Sequence, residues 1–234
     1  MQELILYSHI PPTRHAQVLQ ILAGITASRP TPTLEQTLLY IQPPATLTGA
    51  AKKAQANRQT QVKPQKSTYV KLIRDVQNDG DKTPWTLRTE EVPQAGITNV
   101  ISRTITERLL SDQDLEAFRQ TTGNKTKYCN QFLASPGHRF IHNNLIIRIS
   151  RILTVPDGTG ALEPLDAPVP EVRECRVVDS SGAYLFEVTV RVEDGANSKL
   201  VEMGMGEILG FRRLVEGVVD LRVPERLALD SRIK

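Results

Sequence analysis

Four basic residues stand out for where they fall. Lys71, Arg103, Arg148 and Arg191 each sit in the middle of a run that reads as a β-strand. In a closed barrel such side chains can point inward and hold a polyphosphate through charge-assisted hydrogen bonds. Hydrolysis in such a tunnel would also need carboxylates two apart on a strand to hold a divalent metal. No Glu-x-Glu lies on any predicted strand. The four are therefore expected on solvated outer faces, where an antiparallel sheet usually keeps its charge. Inward charge without metal ligands is the alternative.

Other constellations point to less. His138 and His142 are four apart, a metal-binding spacing on a helix, but Gly137 and its neighbours read as a hairpin. Arg139 also stands where a zinc protease would need Glu. Gly204, Gly206 and Gly210 have the wrong spacing for a dinucleotide fingerprint and fall inside a predicted helix, not at the turn that opens one. Small residues that let this helix approach its neighbours closely are the reading. Asp75, Gln77, Asp79, Gly80 and Asp81 resemble a calcium loop, but its twelfth position falls on Thr86 where Glu is required, so a hairpin turn is expected. Serine elbows and P-loops are absent. Cys129 and Cys175 are expected as buried small hydrophobes, and no cofactor or metal is expected.

Composition agrees with a chain that does no evident chemistry. The 234 residues carry 29 basic and 26 acidic side chains, a formal charge of +3, with 39% hydrophobic residues. Such a balance excludes a disordered or collagen-like chain, and two cysteines exclude a disulfide scaffold. No apolar run approaches a membrane helix. The chain opens on a strand-like segment, Glu3–Tyr7, without a basic stretch or cleavage site, so no signal peptide is expected. Residues 43–67 hold Lys52, Lys53, Arg58, Lys63 and Lys66 and no acid, with hardly any large apolar residue. That stretch reads as a mobile basic insert, and nucleic-acid contact through it is a third, weaker idea.

Positioning is expected from strands in series. Glu3–Ser8, Leu34–Gln42, Thr68–Val76, Trp85–Val92 and Thr98–Leu109 read as strands, as do Lys127–Ala134, Arg139–His142, Leu145–Leu153, Arg173–Val178 and Tyr184–Val192. Tyr184, Phe186, Val188, Val190 and Val192 alternate against Glu187 and Arg191, the clearest half-buried pattern in the chain. One long helix follows Thr13 and ends before Pro30, and another runs from Ser198 to about Glu216. A short third helix is capped by Ser111 with Asp114 in a capping-box position. The expected fold is a β-rich α+β domain: one antiparallel many-stranded barrel over residues 1–234, two long helices and a short one, a Pro/Gly loop at 155–170 and an extended tail at 218–234.

Three long stretches resemble one family. Glu3-Leu-Ile-Leu-Tyr followed by Pro11-Pro-Thr-Arg-His-Ala-Gln-Val-Leu-Gln-Ile-Leu-Ala-Gly is similar to the start of fungal Mediator subunit eighteen. So are the run from His138 to Leu153 and the closing segment from Val215 to Asp230. The resemblance implies a nuclear, non-enzymatic component of the Mediator head module, a coactivator in RNA polymerase II transcription. It implies a barrel shaped like the triphosphate tunnel enzymes, a heterodimer with Mediator subunit twenty, a tether from the C-terminal helix of subunit eight, and contact with RNA polymerase II through the assembled complex. Those enzymes carry Glu-x-Glu-x-Lys on their first strand, whereas the matching strand here reads Glu3-Leu-Ile-Leu-Tyr-Ser.

The expected function is therefore docking. Trp85, Val219, Leu221 and Val223 are the candidate partner-binding residues, as apolar side chains in segments expected outside the main core. For Trp85 a core position is the stronger reading. The alternative class is a metal-dependent polyphosphate or RNA triphosphate hydrolase-like barrel, or a polyphosphate-binding protein.

Overall fold

A computed structural model describes residues 1–42, 67–77, 83–121, 127–155, 165 and 167–230. The basic insert, the turn at Asn78–Asp81, most of the Pro/Gly loop and the helix end near Thr122-Gly123 lie outside the described residues.

The strands are β1 (Gln2–Ile10), β2 (Thr31–Gln42), β3 (Thr68–Asp75), β4 (Thr86–Glu90), β5 (Ile101–Leu109), β6 (Lys127–His142), β7 (Leu145–Thr154), β8 (Arg176–Val177) and β9 (Tyr184–Val192). The helices are α1 (His15–Thr26), α2 (Asp112–Thr121) and α3 (Ser198–Leu214). Every pairing is antiparallel, in the order β6-β2-β3-β4-β5-β1-β9-β7-β8, and a further β6–β7 pairing closes eight strands into a barrel. The two-residue β8 hangs on the far end of β7, through Leu153 and Thr154. The predicted barrel is the observed fold.

Local chemistry accounts for the ends of the elements. Ser111 Oγ accepts from the Asp114 amide at 3.2 Å and the Asp114 carboxylate accepts from the Ser111 amide at 3.2 Å, the reciprocal cap read from sequence. α3 starts at Ser198 as expected, and its cap is Asn197, whose side chain accepts from the Lys199 and Leu200 amides. α1 has no side-chain cap, and a short 3-10 turn at Pro12–Arg14 leads into it. Residues 127–142 form one strand where two were expected. The Ser135-Pro136-Gly137 interruption is absorbed as a register shift against β2 and β7. The hairpin turn lies instead at Asn143-Asn144, with Asn143 in the left-handed region at φ 54°.

The apolar core lies outside the barrel, beneath the helices. Leu4, Leu6 and Ile10 of β1, Ile147 and Ile149 of β7 and the even residues of β9 from Tyr184 to Val192 pack against Val18 and Leu22 of α1 and Ile208 and Phe211 of α3. A Cβ on Gly204 would stand 3.0 Å from Val190 Cγ1 and 3.2 Å from Val192 Cγ2. Glycine there lets α3 lie down on the sheet, the close approach expected from sequence, whereas a Cβ on Gly206 or Gly210 would meet nothing within 4 Å. A second cluster gathers Leu38, Tyr40, Leu72, Trp85, Leu110 and Leu165 beside Leu115 and Phe118 of α2.

Candidate functional site

Alternation along each strand sends the opposite set of residues into the lumen. The cavity, about 900 Å³, is lined by Lys71, Arg88, Arg103, Arg148 and Arg191, by Glu35, Glu90, Glu107, Glu187 and Asp230, and by Tyr7, Tyr69, Phe132 and other apolar groups. This corrects the expectation for Lys71, Arg103, Arg148 and Arg191. All four face the interior: buried apolar neighbours point outward on either side of Lys71, Arg148 and Arg191, as Val190 and Val192 flank Arg191 in the core, while Arg103 lies between Ser102 and Thr104 and is held inward by Glu3 and Glu90.

The register puts opposite charges side by side. Glu3 of β1 lies between Arg103 of β5 and Arg191 of β9, and Arg88 of β4 lies opposite Glu107 of β5. Arg88 donates to three carboxylates: Glu3 at 2.6 Å, Glu90 at 2.7 Å and Glu107 at 2.5 Å. Arg103 donates to Glu3 at 2.9 Å and to Glu90 at 2.8 Å. Lys71 reaches both oxygens of Glu90, at 2.9 and 3.0 Å, and Arg191 grips Glu107 with two bonds at 2.9 and 3.0 Å. Glu3 is 2% exposed and Arg103 4%, so a missing partner here would leave a buried charge unpaired. Arg148 is held less closely, by one 3.3 Å bond to Glu187.

Electrostatics follow from the pairing. Burial alone would raise the Glu90 carboxyl, but Lys71, Arg103 and Arg88 outweigh it and hold the group down at about 2. Burial is likewise outweighed at Glu3, which Arg88 and Arg103 lower. Arg88 and Arg148 are raised against the pull of burial by Glu3 and Glu90, and by Glu187 and Glu35, respectively. Glu35 is raised, because burial there exceeds the help from Arg148. Burial, with Glu187 nearby, lifts Tyr7 well above the ordinary phenol range. Among the described residues, the acids of the lumen at least match its cations in number. An incoming polyanion would have to displace carboxylates already bonded to those cations. No three His, Cys, Asp or Glu among the described residues are grouped to hold a metal.

The C-terminal segment straps one end of this lumen. β1 pairs with β5 only from Gln2 to Ile5, so its second half has β9 on one side alone. There Arg222 bridges Tyr7 through two backbone bonds of 3.0 and 2.8 Å. Arg226 Nη1 then donates to the Pro93 carbonyl at 3.0 Å, and Pro224, Ala228, Leu229 and Asp230 line the lumen. A groove of about 380 Å³ runs between Tyr7–Ile10 of β1, Pro11, Arg14 and Val18 on one side and Val218, Val219, Asp220, Arg222 and Pro224 of the strap on the other.

Of the four candidate docking residues, Trp85 takes the core position that is its stronger reading, and the three strap residues fall differently from expectation. Trp85 is 4% exposed, beneath the Arg74 guanidinium at 4.3 Å, in the second core cluster. Val219 and Leu221 are buried in the outer core and Val223 packs half-buried against it. The premise that these segments lie outside the core is corrected: the strap supplies the core with side chains that α1 and α3 leave room for. Cys129 is exposed and Cys175 half-buried, so neither is the buried hydrophobe expected, and burial still raises both thiols. His142 sits beside Phe211, and His138 beside His15, each histidine in an aromatic contact.

Glu3, Arg88, Glu90 and Glu107 were missed as lumen residues. The available signal was Arg88-Thr89-Glu90 on one strand and Arg103 with Glu107 on the next, which put opposite charges on one face of each.

Comparisons with known proteins bear on this architecture. A chain in the structure of the Schizosaccharomyces pombe Mediator head module superposes with a TM-score of 0.70 over 95% of this chain and 98% of that one, at 16% identity. A protein of Aspergillus oryzae named Mediator of RNA polymerase II transcription subunit 18 is 24% identical over the full length of both chains. One of the same name from Yarrowia lipolytica is 22% identical, again over both full lengths. The family model described as Med18 protein matches residues 2–232, and the chain belongs to that family.

Proposed function

We propose that this chain is a non-enzymatic docking subunit of the Mediator head module, working in the nucleus in RNA polymerase II transcription. The observation that carries the proposal is the family match over residues 2–232. The lumen supports it, because its closely held cations are bonded to the chain's own carboxylates. In this reading the barrel is a rigid support whose outer surfaces meet a heterodimer partner, Mediator subunit twenty, and the C-terminal helix of subunit eight, and reach RNA polymerase II through the assembled complex. Val219, Leu221 and Val223 serve docking by fixing the strap, and Trp85 by fixing the Arg74 side of the barrel.

Co-purification of the tagged chain from fungal nuclear extract tests this. Recovery with head-module subunits is expected, and a solitary particle under gentle salt overturns it. Alanine at Leu221 or Trp85 is expected to lower the melting temperature, since both side chains are core. Loss of partner binding with an unchanged melting temperature would instead make them direct contacts.

A second reading has one observation in its favour, the inward course of Lys71, Arg103, Arg148 and Arg191. It is a polyphosphate-binding or hydrolysing lumen. Incubation with a nucleoside triphosphate and magnesium or manganese is expected to show no turnover. Metal-dependent release of phosphate, lost on Arg103→Gln or Arg148→Gln, would favour the second reading over the first.

A further inference from the structure

We propose that His15 and His138 form a proton-sensitive latch that holds α1 against the barrel. His15 opens α1, and its ring stacks on Tyr184 of β9 at 3.8 Å between centroids and 8° between planes. With that face of Tyr184 covered, the Arg151 guanidinium of β7, 4.4 Å from the ring centroid, takes the other. His138 of β6 stands 5.2 Å from His15. One stack thus ties the first residue of the helix to three strands.

Three nitrogens in it are buried without a hydrogen-bond partner: His15 Nε2, His138 Nδ1 and Arg151 Nε. A neutral imidazole tolerates this at modest cost. A protonated one would put charge on a half-buried ring whose buried nitrogen has nothing to accept from it. The surroundings give no relief. Among the described residues, the stack meets Arg151 from β7, the second histidine from β6 and the Tyr184 ring from β9. The chain neighbours Arg14, just before α1, and Arg139 of β6 are exposed cations. The α1 sequence contains no carboxylate, and its first turn no acid. The positive end of the helix dipole also falls on His15. Consistently, burial lowers both imidazoles, and at His15 the second histidine and Arg151 add to it.

The direction of coupling is then set. A histidine whose folded value is depressed stabilises the docked helix above its ordinary pKa, and that contribution is lost as pH falls through the unfolded value. Arg14 and Val18 wall the groove beside the strap, so loosening of α1 also opens that groove.

Amide hydrogen exchange on the full chain tests the latch, reading protection of His15–Thr26 relative to α3, a ratio in which intrinsic pH effects cancel. Between about pH 7.5 and about pH 5.5, either side of the ordinary histidine pKa, the ratio is expected to fall in the native chain. It is expected to hold constant in the His15→Gln, His138→Gln double variant. A ratio that does not change with pH in the native chain, or that still changes in the double variant, overturns the proposal. Should the double variant fail to fold, Arg151→Met keeps both histidines. The His15 ring, followed by NMR titration, is then expected to titrate at higher pH than in the native chain, and an unmoved midpoint overturns the proposal.

Discussion

The two faces of the same strands are opposites. Outward from β1, β7 and β9 stand Leu4, Leu6, Ile147, Phe186 and Val188, all at 0% exposure and covered by helices. Inward stand Glu3, Arg148, Glu187 and Arg191, around a cavity. The outer face is held by area removed from water, a force that needs no exact partner. The inner face is held by geometry, because each guanidinium there must find carboxylates at hydrogen-bond distance or cost several kcal/mol. The barrel tolerates an ionic lumen because register sets Glu3 between Arg103 and Arg191 and Arg88 opposite Glu107, and because Glu90 bonds both Lys71 and Arg88, the like charges that face each other across β3 and β4. The same pairing leaves the lumen little free charge with which to bind anything else.

The contrast can be broken from either side. Phe186→Ala empties the middle of the outer core and is expected to cost about 3–5 kcal/mol in urea unfolding. A cost below about 1 kcal/mol would show that the helices repack freely. Glu3→Gln removes one of the two carboxylates that Arg88 and Arg103 share, Glu90 being the other, and about 3 kcal/mol is expected to be lost. If that variant is as stable as the native chain, the lumen is wetter than its burial indicates. Acid should separate the faces without mutation. Glu90 is held at about 2 in the folded chain against an ordinary 4.5, so its contribution is present above the ordinary value and disappears as pH falls toward 2. The loss is of order 2–3 kcal/mol, with Glu3 adding in the same direction and the raised Glu35 opposing. Stability that rises steadily from pH 5 downward would contradict the pairing. The smallest effect belongs to neither face: Ser111→Ala removes the α2 cap and is expected to cost about 1 kcal/mol, read as a small shift of the urea midpoint.

Much of the architecture was legible in the residues. The alternation in Tyr184–Val192 identified a strand with one apolar face, the Ser111 and Asp114 pair marked a helix start, and proline and glycine marked most turns. The continuity of β6 through Ser135-Pro136-Gly137 was not legible, because a bulge inside a strand and a turn between two strands use the same residue types. Nor was the fate of the strap. Val219, Leu221 and Val223 alternate as any exposed edge would, and only α1 and α3 decide that they are covered.

Local order in the chain thus determined which residues share a face, since side-chain direction follows from backbone period alone. Which face looks inward was decided by the tertiary structure. A strand pattern of apolar against charged is the same whether water or a ring of counter-charges lies on its polar side. Barrel closure through β6 and β7 turned that polar side into a lumen, and cross-strand register then set each arginine beside its glutamates. Pairings between residues about a hundred positions apart, such as Glu3 with Arg103, have no local signature, because they arise only when distant strands are laid side by side.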